Sequence, residues 1–223
     1  MPAAACRHQT RTCVGVPGLS RSRGALRSLP LIADPFPVAL LVAEALEACS
    51  VRYLVGGSVA SSMSGEPRST LAVDLVVALT EEEVDPFVAV LGDRFHADPE
   101  ALRRAIRDRT SANLIHFETS TKVDLFILGG SPLDDEQMAR RQRVRISTAP
   151  DRYLYFYTPE DILLQKLRWY RMGNEVFDRQ WRDVLGIILV QGSSLDEEYL
   201  RRGSQVLGVG DLLDRALGEA RRE

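Results

Sequence analysis

Lysine is nearly missing from this chain. Of the 28 basic residues in 223, all but Lys122 and Lys166 are arginine. So heavy a bias most simply reflects a GC-rich coding sequence, but it raises the question of why two positions kept an ammonium. Cysteine and histidine are also scarce, at three each. Cys6, Cys13 and Cys49 are scattered, which excludes a disulfide framework and a metal-spaced pair and points to the reducing cytoplasm. The isolated histidines exclude a histidine-based zinc site. Long apolar runs are missing as well: residues 36–43 and 185–190 fall far short of the ~20 that a membrane span needs. No membrane association is therefore expected.

What remains is an ordinary globular composition, with 45% hydrophobic and 26% charged residues, long enough for one large domain or two small ones. Its charge is uneven. Residues 1–33 hold five Arg and no acid, so residues 34–223 carry 28 − 5 = 23 basic groups against 31 acidic ones, a net of −8. A nucleic-acid partner would have to meet a local basic patch rather than a global positive field.

Three stretches follow. Residues 1–33, rich in Arg, Ser, Gly and Pro without an apolar period, read as a disordered or dispensable extension. Residues 34–157 alternate helix and strand. A helix is expected near residues 37–50, then the strand RYLV running into Gly56-Gly57-Ser58, then a small-residue helix. The strand LAVDLVVAL ends at Thr80, which caps a helix over EEEVDPFVAVLGDRF. A helix over PEALRRAIRDR precedes the strands ANLIHFE and KVDLFIL, joined by Thr119-Ser120-Thr121. A further helix and two shorter strands complete this part. Residues 158–223 are helical throughout, opening with Thr158-Pro159-Glu160-Asp161, a cap, a proline and acids in the first turn. The class is α/β, a mixed sheet with flanking helices followed by a C-terminal helical bundle.

Chemistry concentrates in a few places. A strand that ends in Gly56-Gly57-Ser58 and turns into a helix offers free N–H groups and a hydroxyl at a helix N-terminus, a cradle for phosphate. On its own, Gly-Gly also marks any tight turn. Asp74 and Asp124 each stand alone in an otherwise apolar strand, where a carboxylate is costly unless paired, hydrogen-bonded or metal-bound. If the strands are neighbours, the two suit a shared Mg²⁺; the plainer reading is a turn cap or a buried Arg partner for each. Lys166 lies mid-helix beside Leu163, Leu167 and Trp169, and Arg182-Asp183 follows on the next helix. The default for both is a solvated surface.

Together these motifs resemble the nucleotidyltransferase superfamily of the DNA polymerase β type. They are GGS, then R-S-T-x-x-V-D-L-V-V, then a later strand Asp. The segment TPEDILLQKLRWYR…DRQWRDVLGII is similar to the C-terminal motif of AbiEii-type toxin nucleotidyltransferases, MenT-like toxins among them. The resemblance spans about residues 38–200 and implies a nucleotidyltransferase fold. It implies that Gly57 and Ser58, with Arg68, Lys166 and Arg182, hold a nucleoside triphosphate, and that Asp74 and Asp124 bind two Mg²⁺. Lys166 would contact phosphate and Asp183 would orient it. Arg168 and Arg171 are further phosphate contacts. The implied activity is transfer from an NTP, pyrimidine nucleotides favoured, to the 3′ end of tRNA, which blocks translation. The implied partners are tRNA and a cognate antitoxin, with a monomer when free.

One position departs. The family pattern is Asp-x-Asp, because residues i and i+2 of a strand share a face. Here Ala72 stands at the first place, and a methyl group cannot ligate Mg²⁺. The chain as written is expected to bind metal poorly and to be nearly inactive. A natural pseudoenzyme and a deliberate Asp-to-Ala substitution compete to explain this; the intact remainder favours the second. Ser69 and Thr70 precede this strand, and phosphorylation there, Thr70 foremost, would add about −2 charge beside the site and silence it. The alternatives are a nucleotidyltransferase acting on a protein or small molecule, or a non-catalytic nucleotide-binding module.

Overall fold

The computed structural model describes residues 34–66 and 72–222. The extension 1–33 and the candidates Arg68, Ser69 and Thr70 lie outside the described residues.

Helix α1 (Phe36–Ala48) opens the fold with Pro in its first turn, where the missing N–H costs nothing. Strand β1 (Tyr53–Val55) is wholly buried and runs into α2 (Gly57–Ser64). Strand β2 (Val73–Val77) follows. Thr80 and Glu83 then form a reciprocal capping box ahead of α3 (Val84–Leu91). Next come β3 (Phe95–Ala97), α4 (Pro99–Asp108), β4 (Ser111–His116) and β5 (Lys122–Ile127). Helix α5 (Pro132–Arg140) leads to the hairpin β6 (Gln142–Thr148) and β7 (Asp151–Phe156). The C-terminal part is helical: α6 (Pro159–Met172), α7 (Asp178–Gln191), α8 (Glu197–Val206) and α9 (Gly210–Ala220).

Among the described residues the strands form one seven-stranded mixed sheet in the order β3-β4-β5-β2-β1-β7-β6. The α/β class with flanking helices and a helical C-terminal part is the one expected. One element differs. The helix expected through Phe95 stops at Leu91, because Gly92 adopts φ +59, a left-handed conformation that ends a helix. Phe95 is then free to bury its ring beside His116, 4.9 Å between centroids, and to begin the short strand β3.

The central strands explain why the site lies where it does. Along β2, Val73, Leu75 and Val77 are buried while Asp74 and Val76 are only half-buried. Strands β2 and β5 run parallel and pair Asp74 with Asp124 and Val76 with Phe126, so both acids share a face. On that face Phe126 meets Trp169 of α6, 6.1 Å between ring centroids.

Helix α6 is fixed at its start by a buried carboxylate. Asp161 is fully buried; Thr158 Oγ1 donates to its Oδ2 at 2.8 Å and Tyr199 Oη of α8 donates to Oδ1. Arg140 of α5 stacks over the Tyr199 ring at 3.8 Å, so three helices meet at one carboxylate. Tyr199→Phe removes a donor from a buried charge, and its expected cost is about 1–3 kcal/mol in a urea unfolding curve.

Candidate functional site

The turn after β1 is built against Asp74. Gly56 N–H donates to the Asp74 carbonyl at 2.8 Å, and a backbone hydrogen bond from Ser58 reaches the Asp74 carboxylate. Gly57 adopts φ +57, and a Cβ on it would stand 1.7 Å from Asp74 Oδ2. Glycine is therefore required twice over, for the backbone conformation and for the approach of the carboxylate. The N-terminus of α2 thus lies directly on the first strand acid.

Asp124, abreast of Asp74, is held by Lys122 from its own strand. Lys122 Nζ lies 2.8 Å from Oδ1 and 3.1 Å from Oδ2. Burial pushes the Asp74 carboxyl above its ordinary range, and the negative charge of Asp124 pushes it further. The ammonium of Lys166, the Ser58 hydrogen bond and Lys122 pull the other way.

Lys166 is not a surface lysine. Its side chain is 2% exposed and that of Asp183 is 9% exposed, with Nζ 2.6 Å from Asp183 Oδ2. Ser61 Oγ of α2 donates to the same oxygen at 3.1 Å, and the Trp169 ring centroid lies 5.7 Å from the ammonium. The α2, α6 and α7 helices are thereby joined beside Asp74. The close crossing also has a steric basis, since a Cβ on Gly65 would come within 2.8 Å of the Ile187 nitrogen of α7.

The structure thus brings Gly57, Ser58, Asp74, Asp124, Lys166 and Asp183 to one end of the sheet. Ala72 directly precedes β2, as Lys122 precedes Val123, the partner of Val73 in the β2–β5 ladder. Arg182 is exposed on the first turns of α7, next to Asp183 in sequence. Arg168 is exposed too, but Arg171 is engaged with Asp211 at 2.7 Å and Glu175 at 3.0 Å. Sequence reasoning missed Ser61, whose only signal was a place one helical turn beyond Gly57.

Two carboxylates abreast supply hard oxygen ligands, but the position that would complete a two-metal set is the methyl of Ala72. Among the described residues no group of three or more His, Cys, Asp or Glu could hold a metal ion. The residues present do not fit a two-metal set. No helix of the described residues is long and apolar enough to cross a membrane.

No protein-family model matches the chain, and no curated protein matches it. Among solved structures it is similar to an antigenic nucleotidyltransferase-like protein from Paracoccidioides brasiliensis, at 18% identity and TM-score 0.46 over 83% of this chain and 93% of that one. It is also similar to the antibiotic-resistance factor ANT(2'')-Ia in solution, at 13% identity and TM-score 0.45 over 85% and 98%. The third is ANT(2'')-Ia in complex with adenylyl-2''-tobramycin, at 12% identity and TM-score 0.43 over 77% and 95%. The functional reading rests on the site's own residues.

The buried pair gives a direct test. Asp183→Ala leaves the Lys166 ammonium buried without its carboxylate, and unfolding should lose about 3–5 kcal/mol. Asp214→Ala, which removes an exposed partner of Arg201, is the control and should cost about 0–1 kcal/mol.

Proposed function

We propose that the chain is a nucleotidyltransferase-type protein that takes a nucleoside triphosphate at the Gly57 end of the sheet. Its proposed acceptor is the 3′ end of an RNA, tRNA foremost. The observation that carries this reading is the in-register placement of Asp74 and Asp124 under the N-terminus of α2, with the Lys166 ammonium beside them. A helix N-terminus and a buried ammonium attract the phosphates of a triphosphate. Paired acids at the same place suit a reaction in which a hydroxyl oxygen attacks the α-phosphorus. That bond forms as the bond to pyrophosphate breaks, and the hydroxyl proton leaves to solvent.

Lys166 offers its charge as a point rather than a planar fork, and Asp183 with Ser61 fixes where that point lies. Arg182 and Arg168 are exposed guanidinium groups available to a bound polyanion. Ala72 limits the proposal: the chain as written binds nucleotide and transfers it slowly. The biological setting proposed, a translation-blocking toxin restrained by a cognate antitoxin, rests on the resemblance of the α6 and α7 sequence. Mg²⁺ dependence of the Ala72→Asp variant and pyrimidine preference belong to the same proposal.

A second reading, a non-catalytic nucleotide-binding module, is favoured by the methyl at position 72 alone. One assay separates the two. The full chain and its Ala72→Asp variant are incubated with total tRNA, Mg²⁺ and each labelled nucleoside triphosphate in turn. Incorporation should rise at least about a hundredfold in the variant, the effect of one well-placed electrostatic group. No gain with any nucleotide overturns the transferase reading. In the Ala72→Asp background, Lys166→Arg should cost at least about tenfold in rate, since the guanidinium cannot repeat the ammonium's contact.

A further inference from the structure

A second feature of the molecule has no part in the nucleotide site. Helix α1 and the β6–β7 hairpin border a groove of about 430 Å³, within the range of ligand-binding clefts. Tyr53, Tyr153 and Tyr155 line it together with Arg52, Arg141 and Arg143. The Arg143 guanidinium stacks on the Tyr153 ring at 3.7 Å, and that of Arg141 lies 4.7 Å from the Tyr155 centroid. Tyr155 meets Tyr53 edge-on, 5.7 Å between centroids. Arg141 is further fixed by donation from Nη1 to the Met138 carbonyl at 2.7 Å. Its Nε is buried and has no hydrogen-bond partner among the described residues.

The acids of the groove are already engaged. Glu44 pairs with Arg152 at 2.7 Å, Glu47 accepts from Tyr53 Oη at 2.9 Å, and Asp151 lies 3.8 Å from Arg145. Among the described residues, Arg52, Arg141 and Arg143 have no carboxylate partner, although residues 34–223 carry a net charge of 23 − 31 = −8. The lining counts Arg52, Arg141, Arg143 and Arg152 against Glu44, Glu47 and Asp151, a net of 4 − 3 = +1, and this local excess in an acidic protein favours an anionic ligand.

The arrangement extends beyond the groove. Strand β6 is an edge of the sheet, and Arg143 and Arg145 face Tyr155 and Tyr153 across the hairpin. Arg143 and Arg145 of β6, with Arg141 directly before the strand, recur every second residue, the two on the strand about 7 Å apart. The Arg141 end of this row lies beside Phe156, which pairs with Val55, the residue before Gly56. Three strand spacings separate β6 from β2, about 14 Å in all.

We propose that this face binds single-stranded RNA. Bases would stack on the Tyr153 and Tyr155 rings on the sides away from the Arg143 and Arg141 guanidinium groups, and phosphates would meet the edges of Arg143 and Arg145, the latter exchanging its 3.8 Å pairing with Asp151 for a phosphate. Stacking planes interleaved with guanidinium groups suit unpaired bases and not a duplex, whose bases are covered. An acidic peptide would use the charges but leave the ring faces idle. The Arg141 end of the row lies at the end of the sheet that holds Gly56, three strand spacings from β2, so the face would hold the acceptor near that end; this last step rests on the acceptor reading given above.

The test uses the full chain and a fluorescently labelled 15-nucleotide single-stranded RNA, followed by anisotropy across a salt series. Arg143→Gln/Arg145→Gln should weaken binding at least about tenfold and lower the salt slope by about 1.4, two contacts at about 0.7 each. Tyr153→Ala should weaken binding at least about fivefold. Circular dichroism and nucleoside triphosphate binding, measured on the same preparations, should not change. Equal binding of RNA by folded variants and the unaltered chain overturns the proposal, as does a preference for duplex RNA or no binding by the unaltered chain. Loss of RNA binding in the variants of a protein that binds no nucleotide keeps the groove and overturns the nucleotide-site reading instead.

Discussion

Like charges cannot lie side by side in a half-buried sheet without compensation. Asp74 and Asp124 sit on adjacent parallel strands, in register, at the strand spacing of about 4.8 Å. Each needs a counter-charge, and the compensation runs through four elements. Lys122 of β5 answers Asp124, while Lys166 of α6 and the Ser58 N–H of α2 answer Asp74. Lys166 is itself buried and would be costly alone, so Asp183 of α7 answers it, and Ser61 of α2 answers Asp183. The helical hairpin is therefore placed by charge as well as by apolar packing. The scarcity of lysine acquires a meaning here, since both ammonium groups of the chain are engaged at this one end of the sheet.

Much of this was legible from pattern alone. Lone acids in apolar strands marked Asp74 and Asp124, because a single carboxylate interrupting such a run has few explanations. The thirteen-residue α1 and the Thr158 helix start followed from periodicity and capping chemistry. What was not legible depended on separations in sequence. Lys166 and Asp183 are 17 residues apart, a contact implied only by the resemblance, and Ser61 and Asp183 are 122 apart, a contact with no signal in the sequence. Gly57 was read as a glycine for phosphate. The structure adds that a side chain there would strike Asp74, a constraint no spacing rule contains. Strand β3 is three residues long, too short to show a period, and only Gly92 betrayed the end of the preceding helix.

The arginines of β6 illustrate the same limit. Arg143 and Arg145 of β6, and Arg141 directly before it, carry no motif in one dimension. The stacking of Arg143 on Tyr153 and of Arg141 on Tyr155 emerges only once the β6–β7 hairpin brings these residues together. Sequence supplies residue types, and pairing supplies chemistry.

The formal charges at the end of the sheet also explain why Ala72 does not disturb the fold. Asp74, Asp124 and Asp183 bring three negative charges, and Lys122 and Lys166 bring two positive ones, a sum of −3 + 2 = −1. The site is close to electrically balanced by the chain's own side chains. An aspartate at position 72 would add one more negative charge two residues from Asp74 on the same strand face. A methyl there adds no charge to be answered, and its cost falls on chemistry rather than on folding.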